Sequence, residues 1–264
     1  MNNWKDRYGE WALVTGASSG IGADFVRQLA EKGMNIILTA RRTEMMEAIA
    51  KEVEDAHGVK TQIISQDLIE PDAVEYIKNA VSDKEVGILI NNAGYGSLGR
   101  FHENDMDYQS DMVILNCVAP VALTGALIGK MVERKKGAVI FLASTAAYQG
   151  VPYFSVYSAT KSFNLFLAEG LWGEYKTLGI DVMALSPGFT ATEFQSRANA
   201  EGGRRPKPAK SPDVVRLALK KLGNRASVIH GAINYIGAFM SRLIPRKTVV
   251  SISGLIMKMM RPRV

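Results

Sequence analysis

A single cysteine, Cys117, stands in the 264-residue chain. No intrachain disulfide can form, and a reducing cytoplasm is the simplest setting. Long hydrophobic runs are also missing: the N-terminus from Met1 to Arg7 lacks the apolar core of a signal peptide, and no run of about 18 uncharged apolar residues appears. Secretion and membrane spanning are therefore not expected. The three histidines, His57, His102 and His230, are scattered without ligand spacing and without a cysteine cluster, which argues against a metal site. Repeats and low-complexity tracts are absent. So are helix-turn-helix, RNP and zinc-finger signatures, and nucleic acid is not expected as a partner.

Acidic residues almost vanish toward the end of the chain. Gly203 to Val264 holds 14 Lys and Arg against one acid, Asp213, so the net charge of +6 divides into +13 there and −7 over the rest. Charge this local suits an anionic substrate or a membrane surface, or is simply solvated. Charged residues at 22% and hydrophobic ones at 47% are ordinary for a globular protein and exclude wholesale disorder. The length suits one domain spanning residues 1–264.

Apolar, β-branched runs alternate with helical patterns along most of the chain. Trp11–Thr15, Asn35–Ala40, Lys60–Ser65, Ile88–Asn91, Ala138–Ala143, Gly179–Ser186 and Ser227–His230 read as strands. Helical spacing follows the first at once, then runs over Thr43 to His57, from Glu70 to about Asp83, from about Asp107 to Lys135, around Tyr157 and Lys161, and from Ser211. This alternation predicts an α/β, doubly wound Rossmann fold with a mostly parallel sheet of about seven strands.

The first strand runs directly into Gly16-Ala17-Ser18-Ser19-Gly20-Ile21-Gly22 and then a helix. That order suits a dinucleotide: glycines allow a tight turn and a close pyrophosphate, the helix start offers free N–H groups, and the two serines add hydroxyls. The second strand ends at Ala40, where an NAD site would place a carboxylate, and Arg41 and Arg42 follow. Two guanidiniums can grip a 2′-phosphate, which favours NADP(H) over NAD(H); the alternative is a solvated pair opening the next helix. Further on, Tyr157 and Lys161 are four apart and share a face if helical, while Ser144 closes the fifth strand. A nearby ammonium is expected to lower the tyrosine pKa, and the trio then suits proton transfer at an alcohol or carbonyl. Such spacing also occurs in amphipathic helices without function.

Taken together, Thr15-Gly-Ala-Ser-Ser-Gly-Ile-Gly22, Asn91-Asn92-Ala93-Gly94, Ser144, Tyr157-x-x-x-Lys161 and Pro187-Gly188 resemble the short-chain dehydrogenase/reductase superfamily, in its order and over roughly residues 10 to 195. The resemblance implies that Asp67 and Leu68 flank the adenine and that Asn92, Ala93 and Gly94 face the cofactor. It implies that Pro187, Gly188 and either Thr190 or Thr192 meet the nicotinamide end. It gives Asn116 a part in a proton relay; a hydrogen-bonded core asparagine is the other reading. Tyr157 would protonate the alkoxide, Lys161 would lower its pKa and bond the ribose, and Ser144 would orient the carbonyl.

The expected activity is NADPH-dependent reduction of a ketone or aldehyde, with a lipid-like or acyl-thioester substrate suggested by the basic, apolar end. An NAD-linked alcohol dehydrogenase and a non-catalytic nucleotide-sensing scaffold are the alternatives. The family resemblance also implies a homodimer or homotetramer. Residues 190–215 have the composition of a substrate lid. Residues 231–264 form a basic, apolar extension of two helical stretches split by Pro245, with Val249, Ile252, Ile256 and Met259 at steps of three and four. That extension packs over the substrate pocket or a second subunit, contacts a membrane peripherally, or is a solvated tail.

Overall fold

The protein is described by a computed structural model, which defines residues 4–194, 198 and 207–260. Seven strands form one sheet: β1 (Trp11–Thr15), β2 (Asn35–Ala40), β3 (Thr61–Ser65), β4 (Val86–Asn91), β5 (Gly137–Leu142), β6 (Ile180–Ser186) and β7 (Ser227–Ile229). Their spatial order is β3-β2-β1-β4-β5-β6-β7, and every pairing is parallel. Strands β4 and β5 are buried at every position, which explains their continuous apolar runs. The order reverses beside β1, so a crevice opens beyond the carboxyl ends of β1 and β4.

Helices cover both faces of the sheet. In chain order they are α1 (Trp4–Tyr8), α2 (Gly20–Glu31), α3 (Thr43–His57), α4 (Ala73–Ala80), α5 (Met106–Val113), α6 (Ala119–Arg134), α7 (Ser155–Tyr175), α8 (Ser211–Lys221), α9 (Ala232–Met240) and α10 (Arg246–Met260). One core packs α2, α3 and α8 through Phe25, Leu29, Met46 and Val215; the other packs α4, α6 and α7 through Ile77, Leu123, Leu127 and Leu165.

Two features depart from the sequence reading. Trp4–Tyr8 is a helix whose Tyr8 is buried and donates to Asp181 at 3.0 Å. The helix expected from Asp107 to Lys135 is interrupted by a π-helical turn at Ile114–Val118 that carries Asn116. The whole run Met106–Arg134 is long and apolar enough to cross a membrane. Asn116, Pro120 and Thr124 break it up in the sequence, and in the fold Met112, Leu123, Leu127 and Met131 are buried as core.

Most of the expected lid, and the cations Arg261 and Arg263, lie outside the described residues. The lid's two flanks are joined: Ala209 N–H donates to the Phe189 carbonyl and Ala191 N–H to the Ala209 carbonyl, both at 2.9 Å.

Candidate active site

Strand β1 ends in Thr15, whose hydroxyl donates to the Ile90 carbonyl at 3.1 Å and accepts from the Asn92 and Ala93 N–H groups at 2.9 Å each. This hydroxyl fastens the Gly16 turn to the Asn92-Ala93-Gly94 segment at the mouth of the crevice. Gly16 and Gly20 have φ of +64° and +56°, which a side chain would strain. A Cβ on Gly22 would collide with the Gly16 carbonyl oxygen and come within 2.6 Å of Asn92 Nδ2. The turn can be this tight only with glycine there, and it leaves the N-terminus of α2 bare for an anion.

Arg42 reaches back over the turn, donating to Ser18 Oγ at 3.1 Å and Ser19 Oγ at 2.8 Å. It also pairs with Glu193 at 2.9 Å, while Arg41 pairs with Asp67 at 3.3 Å. Two guanidiniums and two serine hydroxyls thus gather beside Ala40, which stands where an NAD site would place a carboxylate; Glu193 and Asp67 reach the same guanidiniums from other segments.

Ser144 caps a single 3₁₀ turn, accepting from the Ala146 N–H at 3.1 Å. From α7, Lys161 donates from Nζ to the Leu142 carbonyl at 2.7 Å and stands 5.7 Å from the Tyr157 ring centre. Asn116 is fully buried: its amide donates to the Tyr95 carbonyl and Thr160 Oγ1, both at 3.0 Å, and its Oδ1 accepts from the Tyr95 N–H at 3.2 Å. The π turn aims Asn116 at α7, and a Cβ on Gly94 would lie 2.7 Å from Asn116 Oδ1 and 3.4 Å from Lys161 Nζ. Asparagine, glycine and lysine therefore meet at one point.

Burial sets the acidities here. It pushes the Tyr157 phenol up to about 12, the Ser144 hydroxyl drawing it partly back, and pulls Lys161 down to about 8. The expected lowering of the Tyr157 pKa by Lys161 is thus not met in this structure: desolvation, with the Phe154 and Phe194 ring centres 4.4 and 5.3 Å away, raises it, and the Ser144 hydroxyl rather than the ammonium acts the other way. Cys117 is pushed up to about 11 by the same cause and acts as a packing residue.

The two shifts act on stability in opposite senses. Unfolded chains hold the lysine proton up to about 10.5 and the folded chain only to about 8, so stability rises with pH across that window. The tyrosine proton is held longer when folded, so stability falls from about 10 to about 12. We expect the urea midpoint of the wild type, relative to Lys161→Met, to rise between pH 7 and pH 10; a flat difference would contradict the burial of Lys161 in its charged form.

A cleft of about 810 Å³ joins these parts. It runs from the Gly16 turn past Arg41, Asp67, Leu68 and Asn92 to Ser144, Tyr157 and Lys161, and then to Pro187, Gly188, Thr190 and Thr192. Of the predicted residues, Gly22 and Asn116 do not line it but shape it from behind. Thr190 donates its hydroxyl to the Gly188 carbonyl at 3.0 Å, whereas Thr192 lies against Gly20. Sequence reasoning missed Tyr95, Phe154, Phe194 and Asn234, and also Ser253 and Met257, which α10 brings to the rim together with Ile256 of the expected stripe. Thr15 was recoverable as the single hydroxyl in the Trp11–Thr15 strand. Among the described residues no group of acidic, His or Cys side chains is placed to hold a metal.

The family model for short chain dehydrogenases matches residues 10–202. The chain belongs to that family. Short-chain dehydrogenases similar to it include the very-long-chain 3-oxoacyl-CoA reductase of Rattus norvegicus, 33% identical over 252 residues, covering 92% of this chain and 80% of the relative. Another, the Homo sapiens inactive hydroxysteroid dehydrogenase-like protein 1, is 35% identical over 196 residues, covering 73% of this chain and 59% of that one. Among solved structures, a 7beta-hydroxysteroid dehydrogenase superposes with a TM-score of 0.87 at 27% identity, covering 95% of this chain and 99% of its own. A short-chain dehydrogenase from Sphingobium yanoikuyae in complex with NADPH gives 0.79 at 30% identity, covering 89% and 94%. These relatives place the chain among oxidoreductases that interconvert carbonyls and alcohols.

Proposed function

We propose that the chain reduces a bulky, apolar ketone or aldehyde with NADPH. The observation that carries this reading is the meeting of Ser144, Tyr157 and Lys161 in the same cleft as the Gly16–Gly22 turn. The residues present fit the cofactor: a collision-tight glycine turn, a bare helix N-terminus and a guanidinium-serine cradle where NAD would need a carboxylate. Gly16, Ser18, Ser19, Gly20 and Ile21 hold the pyrophosphate, with Gly22 keeping the turn tight. Arg41 and Arg42 hold the 2′-phosphate, Asp67 and Leu68 flank the adenine, and Asn92, Ala93 and Gly94 line the floor. Pro187, Gly188 and Thr192 face the nicotinamide, since Thr190 already spends its hydroxyl on Gly188. When bound, NADPH supplies the hydride for the carbonyl carbon.

The chain's own residues handle the proton. Ser144 Oγ donates to the carbonyl oxygen and fixes its position. Tyr157, protonated at neutral pH as a phenol ordinarily is, gives up its proton as negative charge develops on that oxygen. Lys161, held by Leu142, then faces a phenolate and stabilises it by charge. Asn116 fixes the Tyr95 backbone and Thr160 and thereby the floor on which Lys161 is recharged. Around Tyr157 the walls are apolar, with Tyr95, Phe154 and Phe194, so water is kept from the reacting oxygen.

Apolar walls and a cleft of this size favour a large carbonyl compound, and relatives named for hydroxysteroids and long 3-oxoacyl thioesters support that class. We expect kcat/KM with NADPH for a steroid ketone or a long 3-oxoacyl thioester to exceed that for a short ketone by about 100-fold, following the apolar surface buried. Equal values across such a panel would contradict the substrate class. Val118, Val121, Phe163 and Phe166, exposed on α6 and α7 or beside them, support self-association as a homodimer or homotetramer. The single buried Cys117 suits a reducing, cytoplasmic setting.

A further inference from the structure

The last two helices turn outward an apolar face of which the cleft uses only Ile256. On α9 and the turn after it, Ile233, Ile236, Met240 and Leu243 recur at steps of three and four and are 86, 59, 42 and 65% exposed. On α10, Ile252, Leu255, Ile256 and Met259 fall at i, i+3, i+4 and i+7, and are 49, 61, 45 and 58% exposed. Both helices are anchored on their other sides. Ala238 is buried, Ser241 Oγ donates to the Tyr148 carbonyl at 3.4 Å, and Ser253 Oγ donates to the Gly150 carbonyl at 3.0 Å. Docked helices that turn apolar stripes outward need something apolar to receive them.

The charge pattern says what that is. From Gly231 to the end the sequence has no acidic residue, whereas Arg242, Arg246, Lys247 and Lys258 are exposed on or beside these helices. Arg246 and Lys247 even open α10, where the helix dipole disfavours cations unless an anion stands outside. A two-fold contact between copies would set this patch against itself, cation facing cation, with no acid from the patch to relieve it. An anionic bilayer supplies both an apolar layer for the stripes and phosphates for the cations.

We propose that α9 and α10 form a peripheral docking surface for anionic lipid membranes. Ile256 and Met257 also line the cleft, so docking places the substrate mouth at the lipid surface. The docking itself does not depend on which carbonyl is reduced.

Vesicle flotation of the full chain tests this, using phosphatidylcholine alone and phosphatidylcholine with phosphatidylglycerol, at low and high salt. The wild type should float with the anionic vesicles, and lose that binding at high salt or without phosphatidylglycerol. Ile252→Glu with Leu255→Glu, and separately Lys247→Glu with Lys258→Glu, should each lower the partition coefficient about tenfold or more. Melting temperature and NADPH affinity should stay as in the wild type, since none of these four side chains lines the cleft. A wild type that fails to float overturns the proposal, as does an apolar double variant that floats equally well. Light scattering that shows the apolar double variant splitting dimers, with no vesicle binding by the wild type, assigns the face to a second copy instead.

Discussion

Tyr157→Phe is expected to lower kcat for carbonyl reduction by about 1,000-fold or more while NADPH still binds, because it removes the one acid aimed at the carbonyl oxygen and little volume. The ring stays packed on Phe154 and Phe194, so folding should be unaffected. The phenol carries its proton at neutral pH in any case, and burial pushes it further up to about 12, so the proton leaves only as charge develops on the carbonyl oxygen beside it. Lys161 must carry charge when the proton leaves, and burial pulls it down to about 8, so reduction should weaken as pH rises through that region. Stopped-flow single turnovers with cofactor binding followed by NADPH fluorescence separate chemistry from affinity. Normal turnover in the phenylalanine variant would assign the proton to another group. A wild type that binds NADPH but turns over no carbonyl would favour the scaffold reading instead.

Arg42→Ala is expected to weaken NADPH binding about 100-fold and to change NADH binding by less than about threefold, since a guanidinium grips a 2′-phosphate that NADH lacks. The same substitution removes the ion pair with Glu193, which in this structure lies 2.9 Å from Arg42 and must give way to the phosphate. Glu193→Gln should therefore tighten NADPH modestly, in the opposite direction. Titrations of both cofactors against wild type and variants decide the matter. A wild-type preference for NADH would reassign the site to an NAD-linked dehydrogenase.

The order of strands, the glycine turn and the Tyr157–Lys161 pair were legible because each depends on local spacing: period two or continuous apolar runs, a turn with its own glycines, a helix with its own i, i+4 face. What was not legible depends on distant contacts. Helix α1 spans five residues, too short for periodicity, and is fixed by Tyr8 reaching Asp181. The π turn adds one residue to a helical run, which leaves no mark in composition; Asn116 amid apolar neighbours was its only trace. The acidity of Tyr157 is not legible because sequence shows the ammonium four residues on but not the Phe154 and Phe194 rings that pack on the phenol. Likewise the stripe read on the last helix included Val249, whereas packing against the 150–152 loop turns Ile252, Leu255, Ile256 and Met259 outward.

The central claim is hydride delivery from NADPH to a carbonyl carbon beside Tyr157. It is tested most directly with NADPH deuterated at the nicotinamide C4 position and a steroid ketone, reading the product by mass spectrometry. The account predicts one deuterium on the carbinol carbon of the alcohol, from one face of the nicotinamide only, and none of that product with Tyr157→Phe on the same timescale. Alcohol formed without deuterium at that carbon, or cofactor oxidised without alcohol, would contradict it.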